Sequence, residues 1–193
     1  MTPEELLEIL ARASRLKTNT RHCWTEKDRK ESVADHCWRS ALTALLLSHE
    51  PEFSGCDMNK VIRMLLIHDL GEAFTGDIPA FVKTAEDTAE EDHILEQWIS
   101  TFPEDIRNEW SGLLEEMNSL STTEAKIYKA IDKMEAVISH NESNITTWLP
   151  LEYDLQLTYG RENVTFSPYF TELKNAVDHW TKEKIEKEGK SSS

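Results

Sequence analysis

Residues 61–79 read VIRMLLIHDLGEAFTGDIP, and this stretch decides how we interpret the whole chain. The apolar run from Val61 to Ile67 predicts a helix that is buried on most of its sides. The run leads directly into the pair His68-Asp69, and such polar side chains are costly to bury unless something pairs with them. A divalent cation is the most economical partner. A core histidine followed by a helix-end aspartate remains the alternative interpretation of the pair taken alone.

Helical periodicity extends over most of the remaining sequence, and we find neither a convincing strand pattern nor an internal repeat. The sequence therefore predicts an all-α, compact single-domain helical bundle. Its domain is expected to span residues 1–180, followed by a charged, Ser-ending and flexible tail at 181–193. The further predicted helices cover approximately residues 32–50, 84–101, 103–118 and 122–145, with a final helix from Pro168.

Composition excludes several classes of partner. The 193 residues carry a formal net charge of -15, which argues against nucleic acid as a partner because phosphate backbones need a basic surface. No run approaches the ~20 apolar residues that span a bilayer, so no membrane association is expected. The three cysteines show no CxxC spacing, which disfavours a disulfide framework or a structural zinc site and favours the cytoplasm.

Four residues in predicted helices supply two imidazoles and two carboxylates: His36, His68, Asp69 and Asp132. Together they would form the first shell of a borderline or hard divalent cation, with room for water or substrate. A metal in such an open site polarises phosphoryl oxygens and activates water. If the four residues converge, the protein is a metal-dependent hydrolase.

Two carboxylates after the His-Asp pair are candidate catalytic residues. If the helix continues through Gly71, Glu72 lies one turn beyond His68 on the same face, where a general acid or base belongs. Asp77 follows in a Gly-flanked loop that would fold over the site. The alternatives are a solvated helix-end charge for Glu72 and an ordinary turn residue for Asp77.

In combination, these segments resemble the HD-domain metal-dependent phosphohydrolases. The order H…HD…D is shared by that superfamily, and HDxxE followed by TGDIP is similar to its 5'-deoxyribonucleotidase branch. The resemblance covers roughly residues 4–140 and rests on the following motifs: ESVADH at 31–36, HD at 68–69, GE at 71–72, TGDIP at 75–79 and AIDK at 130–133. It implies an all-helical fold, metal ligation by the four residues above, a catalytic role for Glu72 and an active-site role for Asp77.

The resemblance also implies substrate contacts, with departures from the family pattern. In this branch an arginine sits just before a tryptophan upstream of the first metal histidine, and the best match here is Arg21-His22-Cys23-Trp24. We therefore expect Arg21 to contact phosphate and Trp24 to stack on a base. Lys83 matches a basic position of the family and is a second phosphate candidate. Surface or core positions are the alternative for all three.

The predicted function is removal of the 5' phosphate from (deoxy)nucleotides or their analogues to give the nucleoside. Mixed nitrogen and oxygen ligands suit cobalt, manganese, iron, nickel or zinc better than calcium or magnesium. We expect cobalt or manganese, with magnesium as an alternative for a polyphosphate substrate. One alternative is stepwise dephosphorylation of a nucleoside triphosphate, as in the relative that acts on oxetanocin triphosphate. The other is a non-catalytic helical interaction module. Members of this branch tend to form dimers, which implies a homodimer here.

Overall fold

The computed structural model describes residues 1–26 and 28–189, and most of them are helical. The predicted all-α class is confirmed. The helices in the described part of the chain are α1 (Pro3–Ala13), α2 (Val33–Leu47), α3 (Met58–Ile67), α4 (Glu72–Thr75), α5 (Ala85–Ile99), α6 (Glu104–Ser119), α7 (Thr123–Glu142), α8 (Glu152–Thr158) and α9 (Pro168–Glu188).

Side-chain caps explain where several helices begin. Thr2, Ser32 and Thr84 each accept a hydrogen bond from the backbone three residues later, and an acidic side chain there bonds back to the cap residue. Such reciprocal capping satisfies two backbone N–H groups that a helix leaves open. The cap at Ser32 fixes the start of α2, four residues before His36.

The centre of the fold is formed by α2, α3 and α7, which pack against one another. Their inward side chains are almost completely buried, including Val33 on α2, Met64 and Leu65 on α3, and Ile127 and Ile131 on α7. The dense apolar pattern before His68 is therefore the pattern of a central helix, as predicted. Because the inward faces of these three helices are buried in the core, polar groups at their contacts are held rigidly.

The segment after α3 is tighter than a continuous helix. His68 is the residue that ends α3, and two turns with hydrogen bonds to the third preceding residue lead into α4 at Glu72. Gly71 permits this path because a Cβ atom there would lie 2.6 Å from Cγ of Glu91. Gly76 then ends α4 with a φ of 80°, which favours glycine.

A small β-hairpin precedes α2, although the sequence predicts no strand. Strands β1 (Thr20–Glu26) and β2 (Arg29–Ser32) pair antiparallel, with Trp24 opposite Lys30. Register shifts on both sides of Trp24 interrupt the pairing, and Cys23 is the single fully buried residue of β1. The alternation that normally reveals a strand is therefore absent.

The last helix passes through the predicted domain boundary without a break. Helix α9 continues to Glu188, and both Thr181 and Lys184 are buried. Residues 190–193 of the predicted tail lie outside the described residues, and the division at residue 180 stays a prediction. Within the described ranges, the helices are too short or too polar to cross a membrane.

Candidate metal centre and active site

The structure brings the four predicted metal ligands together. His36 lies on α2, His68 and Asp69 follow α3, and Asp132 lies on α7. Nε2 of His36 lies 3.3 Å from Nε2 of His68 and 3.4 Å from Oδ1 of Asp132. Nε2 of His68 lies 3.1 Å from Oδ2 of Asp69. The donor atoms of His36, His68 and Asp69 all lie within 4.8 Å of one another, and Oδ1 of Asp132 approaches both imidazoles from α7.

The hydrogen bonds of the two imidazoles show that this point suits a cation. Nδ1 of His68 donates to the carbonyl oxygen of Leu65 at 2.9 Å, and Nδ1 of His36 donates to the carboxylate of Glu135. In the neutral form of each ring, Nε2 then carries a lone pair that can bind a cation. Burial disfavours a charge on His68, yet Asp69 raises the pKa of His68 well above its ordinary value. The site attracts positive charge, and the four donors fit a divalent metal ion.

A buried network that was not predicted from the sequence holds His36 in place behind the cluster. Oε1 of Glu135 lies 2.7 Å from Nε of Arg39. Ser139 donates to Glu31 at 2.6 Å, and Oε2 of Glu31 lies 3.1 Å from Nε of Arg21. Since Glu135 follows Asp132 by three residues on α7, helical spacing is the signal that identifies it.

Glu72 is buried beside the cluster without a partner for its acid group. Its side chain is 4% exposed, and Oε2 accepts no hydrogen bond from any residue in the described part of the chain. Burial, with smaller contributions from Asp69 and Asp77, raises the pKa of Glu72 to about 9. A carboxyl group in this state holds a proton near neutral pH and is able to donate it.

Asp77 and Arg21 lie between the cluster and a neighbouring cavity, of which both form part of the wall. Nη1 of Arg21 lies 3.8 Å from Oδ2 of Asp69. Burial raises the pKa of Asp77, while the guanidinium of Arg21 opposes the increase. Arg21 thus lies next to Asp69, and its contact with phosphate stays a prediction.

The other two predicted substrate contacts are placed differently. Nζ of Lys83 lies 2.6 Å from Oε2 of Glu91, so its charge is already paired. Trp24 lies on the wall of a separate hollow with Glu26 and Glu142, and Nζ of Lys30 sits 5.7 Å from its ring. The structure does not bring Trp24 to the cluster.

Lys129 and Lys133, to which the sequence assigns no role, flank the cluster instead. Nζ of Lys129 and Nζ of Lys133 lie 3.1 and 3.3 Å from Oδ2 of Asp132. Lys133 also donates to the hydroxyl of Tyr159 at 2.9 Å. These cations answer the difficulty that the net charge poses for an anionic substrate. Their spacing from Asp132 along α7 is the signal that reveals them.

The cavity beside the cluster has a volume of about 70 Å³ and opens to solvent. Apolar surfaces come from Pro79, Phe81 and Leu155, among others. Polar side chains complete the wall: Arg21, His22, Asp77, His140, Glu152, Gln156 and Tyr159. An apolar hollow with a few directed polar groups is the usual form of a small-molecule site.

Comparisons with known proteins agree with this geometry. An HD-domain family model matches residues 13–174. The human 5'-deoxynucleotidase HDDC2 is 32% identical over 141 residues, which cover 71% of this chain and 67% of that protein. The yeast 5'-deoxynucleotidase YGK1 is 34% identical over 90 residues, covering 39% of this chain and 40% of that protein.

A solved structure shares the fold. The crystal structure of a protein described as a predicted metal-dependent phosphohydrolase, from Magnetospirillum magnetotacticum, superposes with a TM-score of 0.76. The match covers 94% of this chain and 91% of that one at 24% identity, which shows the fold alone. The family model matches most of the sequence, and the structure brings the His-Asp cluster together. The chain therefore belongs to the HD-domain family and is a phosphohydrolase of that family.

Proposed function

We propose that this enzyme removes the 5' phosphate from deoxynucleoside monophosphates to give the deoxynucleoside. The observation that carries the proposal is the four-ligand cluster with Glu72 buried beside it and the cavity adjoining it. Similar proteins named 5'-deoxynucleotidases support the choice of substrate. Their activity as enzymes also counts against the non-catalytic interaction module.

His36, His68, Asp69 and Asp132 would hold the metal ion. When bound, a divalent cation supplies Lewis acidity to a phosphoryl oxygen and lowers the pKa of a water molecule. The mixed nitrogen and oxygen donors favour cobalt or manganese. Magnesium would bind more weakly here unless the phosphates of a polyphosphate substrate also coordinated it.

The side chains around the cluster supply the remaining chemistry. Lys129, Lys133 and Arg21 place positive charge where the non-bridging oxygens of a phosphate would lie, and Lys83 would add to it if Glu91 released it. Glu72, with its raised pKa, donates a proton to the leaving 5' oxygen. Asp77 on the cavity wall orients the sugar end of the substrate.

Phosphate release from a panel of nucleotides tests the proposal. The metal-loaded protein is given ribonucleoside and deoxynucleoside mono-, di- and triphosphates with cobalt, manganese or magnesium. We expect release from deoxynucleoside monophosphates. Release from triphosphates down to the nucleoside would instead establish the oxetanocin type, which no observation favours. No release with any metal would overturn the proposed function.

We also propose that the enzyme is a homodimer in the cytoplasm. Helix α2 exposes apolar side chains at helical spacing, namely Trp38, Leu42, Leu45 and Leu46, and a large exposed apolar patch typically marks an interface. The free thiols of Cys23, Cys37 and Cys56 suit a reducing compartment. Light scattering after size exclusion, on wild type and on Leu46→Glu, tests the dimer.

A further inference from the structure

The carboxamide of Gln156 lies open on the wall of the cavity beside the cluster. Gln156 belongs to α8 and is 4% exposed. Its backbone oxygen accepts a hydrogen bond from Nζ of Lys174 at 3.1 Å, but its side-chain oxygen and nitrogen bond to no residue within the described ranges. The amide therefore opens to the cavity, where both its donor and its acceptor are available to a ligand.

Three neighbouring polar groups on this wall, those of Glu152, His140 and Tyr159, are already paired, whereas Nε2 of His22 has no hydrogen-bond partner among the described residues. Oε1 of Glu152 lies 2.9 Å from Nε2 of His140, and Oε2 accepts a hydrogen bond from the backbone of Leu149 at 2.6 Å. Nδ1 of His140 donates to the carbonyl of Ala136 at 3.0 Å. The hydroxyl of Tyr159 accepts the bond from Lys133. These groups shape the wall, whereas Gln156 offers both a donor and an acceptor.

The remaining surface of the cavity suits a flat ring. Phe81, Pro79 and Leu155 provide apolar faces, and the ring of Phe81 meets that of His22 edge to face at 5.6 Å. Arg21 and Asp77 join this cavity to the metal cluster. A substrate whose phosphate lies at the cluster therefore extends its other end into the cavity.

We propose that Gln156 determines affinity for the nucleobase, by donating one hydrogen bond to the base edge and accepting another from it. This inference rests on the proposed function. A carboxamide pairs best with a group that carries a donor and an acceptor side by side, as base edges do. A sugar hydroxyl is a single group, and it would leave half of the carboxamide unpaired. Gln156 is thus a specificity-determining residue for the base.

Kinetics with and without a base test the inference. kcat/KM is measured on the four deoxynucleoside 5'-monophosphates and on 2-deoxyribose 5-phosphate, which lacks the base, for wild type, Gln156→Ala and Gln156→Leu. We expect a decrease of about 10- to 100-fold for at least one nucleotide and little change for the sugar phosphate. Gln97→Ala, the replacement of the exposed glutamine on α5, serves as the matched control and is expected to behave as wild type.

Titration with ligands that need no turnover gives a second, independent measurement. The four deoxynucleosides and inorganic phosphate are titrated separately into each variant by calorimetry. We expect Gln156→Ala to weaken deoxynucleoside binding at least tenfold and to leave phosphate binding unchanged. Gln156→Leu conserves volume, and its melting temperature is expected to equal or exceed that of wild type because the native amide has no partner to lose.

The outcomes separate the two proposals. Equal losses on nucleotides and on the sugar phosphate, or unchanged deoxynucleoside binding, would overturn the role of Gln156 while the proposed function stands. A wild-type enzyme that releases phosphate from none of the nucleotides would overturn the proposed function, and the role of Gln156 with it. A lowered melting temperature in both Gln156 variants would show a structural role instead.

Discussion

The carboxylate of Glu135 accepts a hydrogen bond from Nδ1 of His36, and its second oxygen lies 2.7 Å from Nε of Arg39. With both oxygens held, Glu135 fixes the tautomer and the orientation of the imidazole that faces the metal cluster. We expect Glu135→Gln to lower metal affinity about 10- to 100-fold, the usual effect of losing such an outer partner. Equilibrium dialysis against cobalt with metal analysis measures it. Glu142→Gln is the control, since Glu142 also contacts Arg39 but not His36; equal affinities in both variants would contradict the prediction.

The second prediction concerns the proton held on Glu72. Because Oε2 of Glu72 has no partner in the described structure, replacing the acid with an amide of the same shape removes the proton but little else. We expect Glu72→Gln to reduce kcat about 10²- to 10⁴-fold, the range for general acid–base catalysis. Metal content should stay unchanged. Glu86→Gln, an exposed position on α5, is the control. Full activity of Glu72→Gln would exclude the role.

The approach of the four residues was predictable because each lies in a strongly patterned helix or directly after one. The apolar run before His68 and the cap at Ser32 place α3 and α2 by local chemistry alone, and Asp132 lies on an apolar-striped helix. Tertiary packing decides whether these helices meet. The resemblance of the motif order H…HD…D to the HD-domain superfamily made that meeting expected.

Residues that approach the site from other elements were not predictable in the same way. Gln156 lies on a seven-residue helix, and its amide reaches the cavity only because α8 folds against it. Trp24 lines a different hollow from Arg21, and its stacking on a base stays a prediction. Lys83 has the expected charge, yet Glu91 on the following helix pairs with it. Tertiary contacts therefore override what the local sequence predicts.

Lys129 offers a test of local charge neutralisation in an acidic protein. Nζ of Lys129 lies 3.1 Å from Oδ2 of Asp132, and Asp132 is the largest cause of the raised pKa of Lys129, which stays charged. We expect Lys129→Met to lower kcat/KM for nucleotides about tenfold or more, since charged hydrogen bonds contribute roughly 1.5–3 kcal/mol. Lys126→Met removes the same charge from an exposed position of α7 and is the control. Equal decreases in kcat/KM for the two variants would show that only the net charge matters, and no decrease in either would contradict the prediction.

His140 and Glu152 predict how stability depends on pH. Burial alone would lower the pKa of His140, but hydrogen bonds to Cys23 and Glu152 raise it to about 10. Because the pKa is higher in the folded state than the ordinary value of about 6.5, this stabilisation is complete below pH 6.5 and is lost as the pH rises toward 10. The melting temperature of wild type should therefore fall more steeply from pH 7 to 10 than that of His140→Gln. His179→Gln, at an exposed pair with Glu183, should keep the wild-type slope. Equal slopes for His140→Gln and wild type would contradict the prediction.

Gly71 and Gly112 predict opposite changes in stability for the same substitution. A Cβ atom at Gly71 would lie 2.6 Å from Cγ and 3.1 Å from the backbone oxygen of Glu91, whereas one at Gly112 meets nothing within 4 Å. We expect Gly71→Ala to lower the free energy of unfolding by about 1–3 kcal/mol through overpacking. Gly112→Ala lies inside α6 and should raise it by about 0.5–1 kcal/mol, because alanine loses less backbone entropy in a helix. Urea denaturation midpoints measure both. If Gly71→Ala is as stable as wild type, α5 can move away from the added methyl group. The close approach of Gly71 to Glu91 would then not be the reason for glycine in the turn after His68.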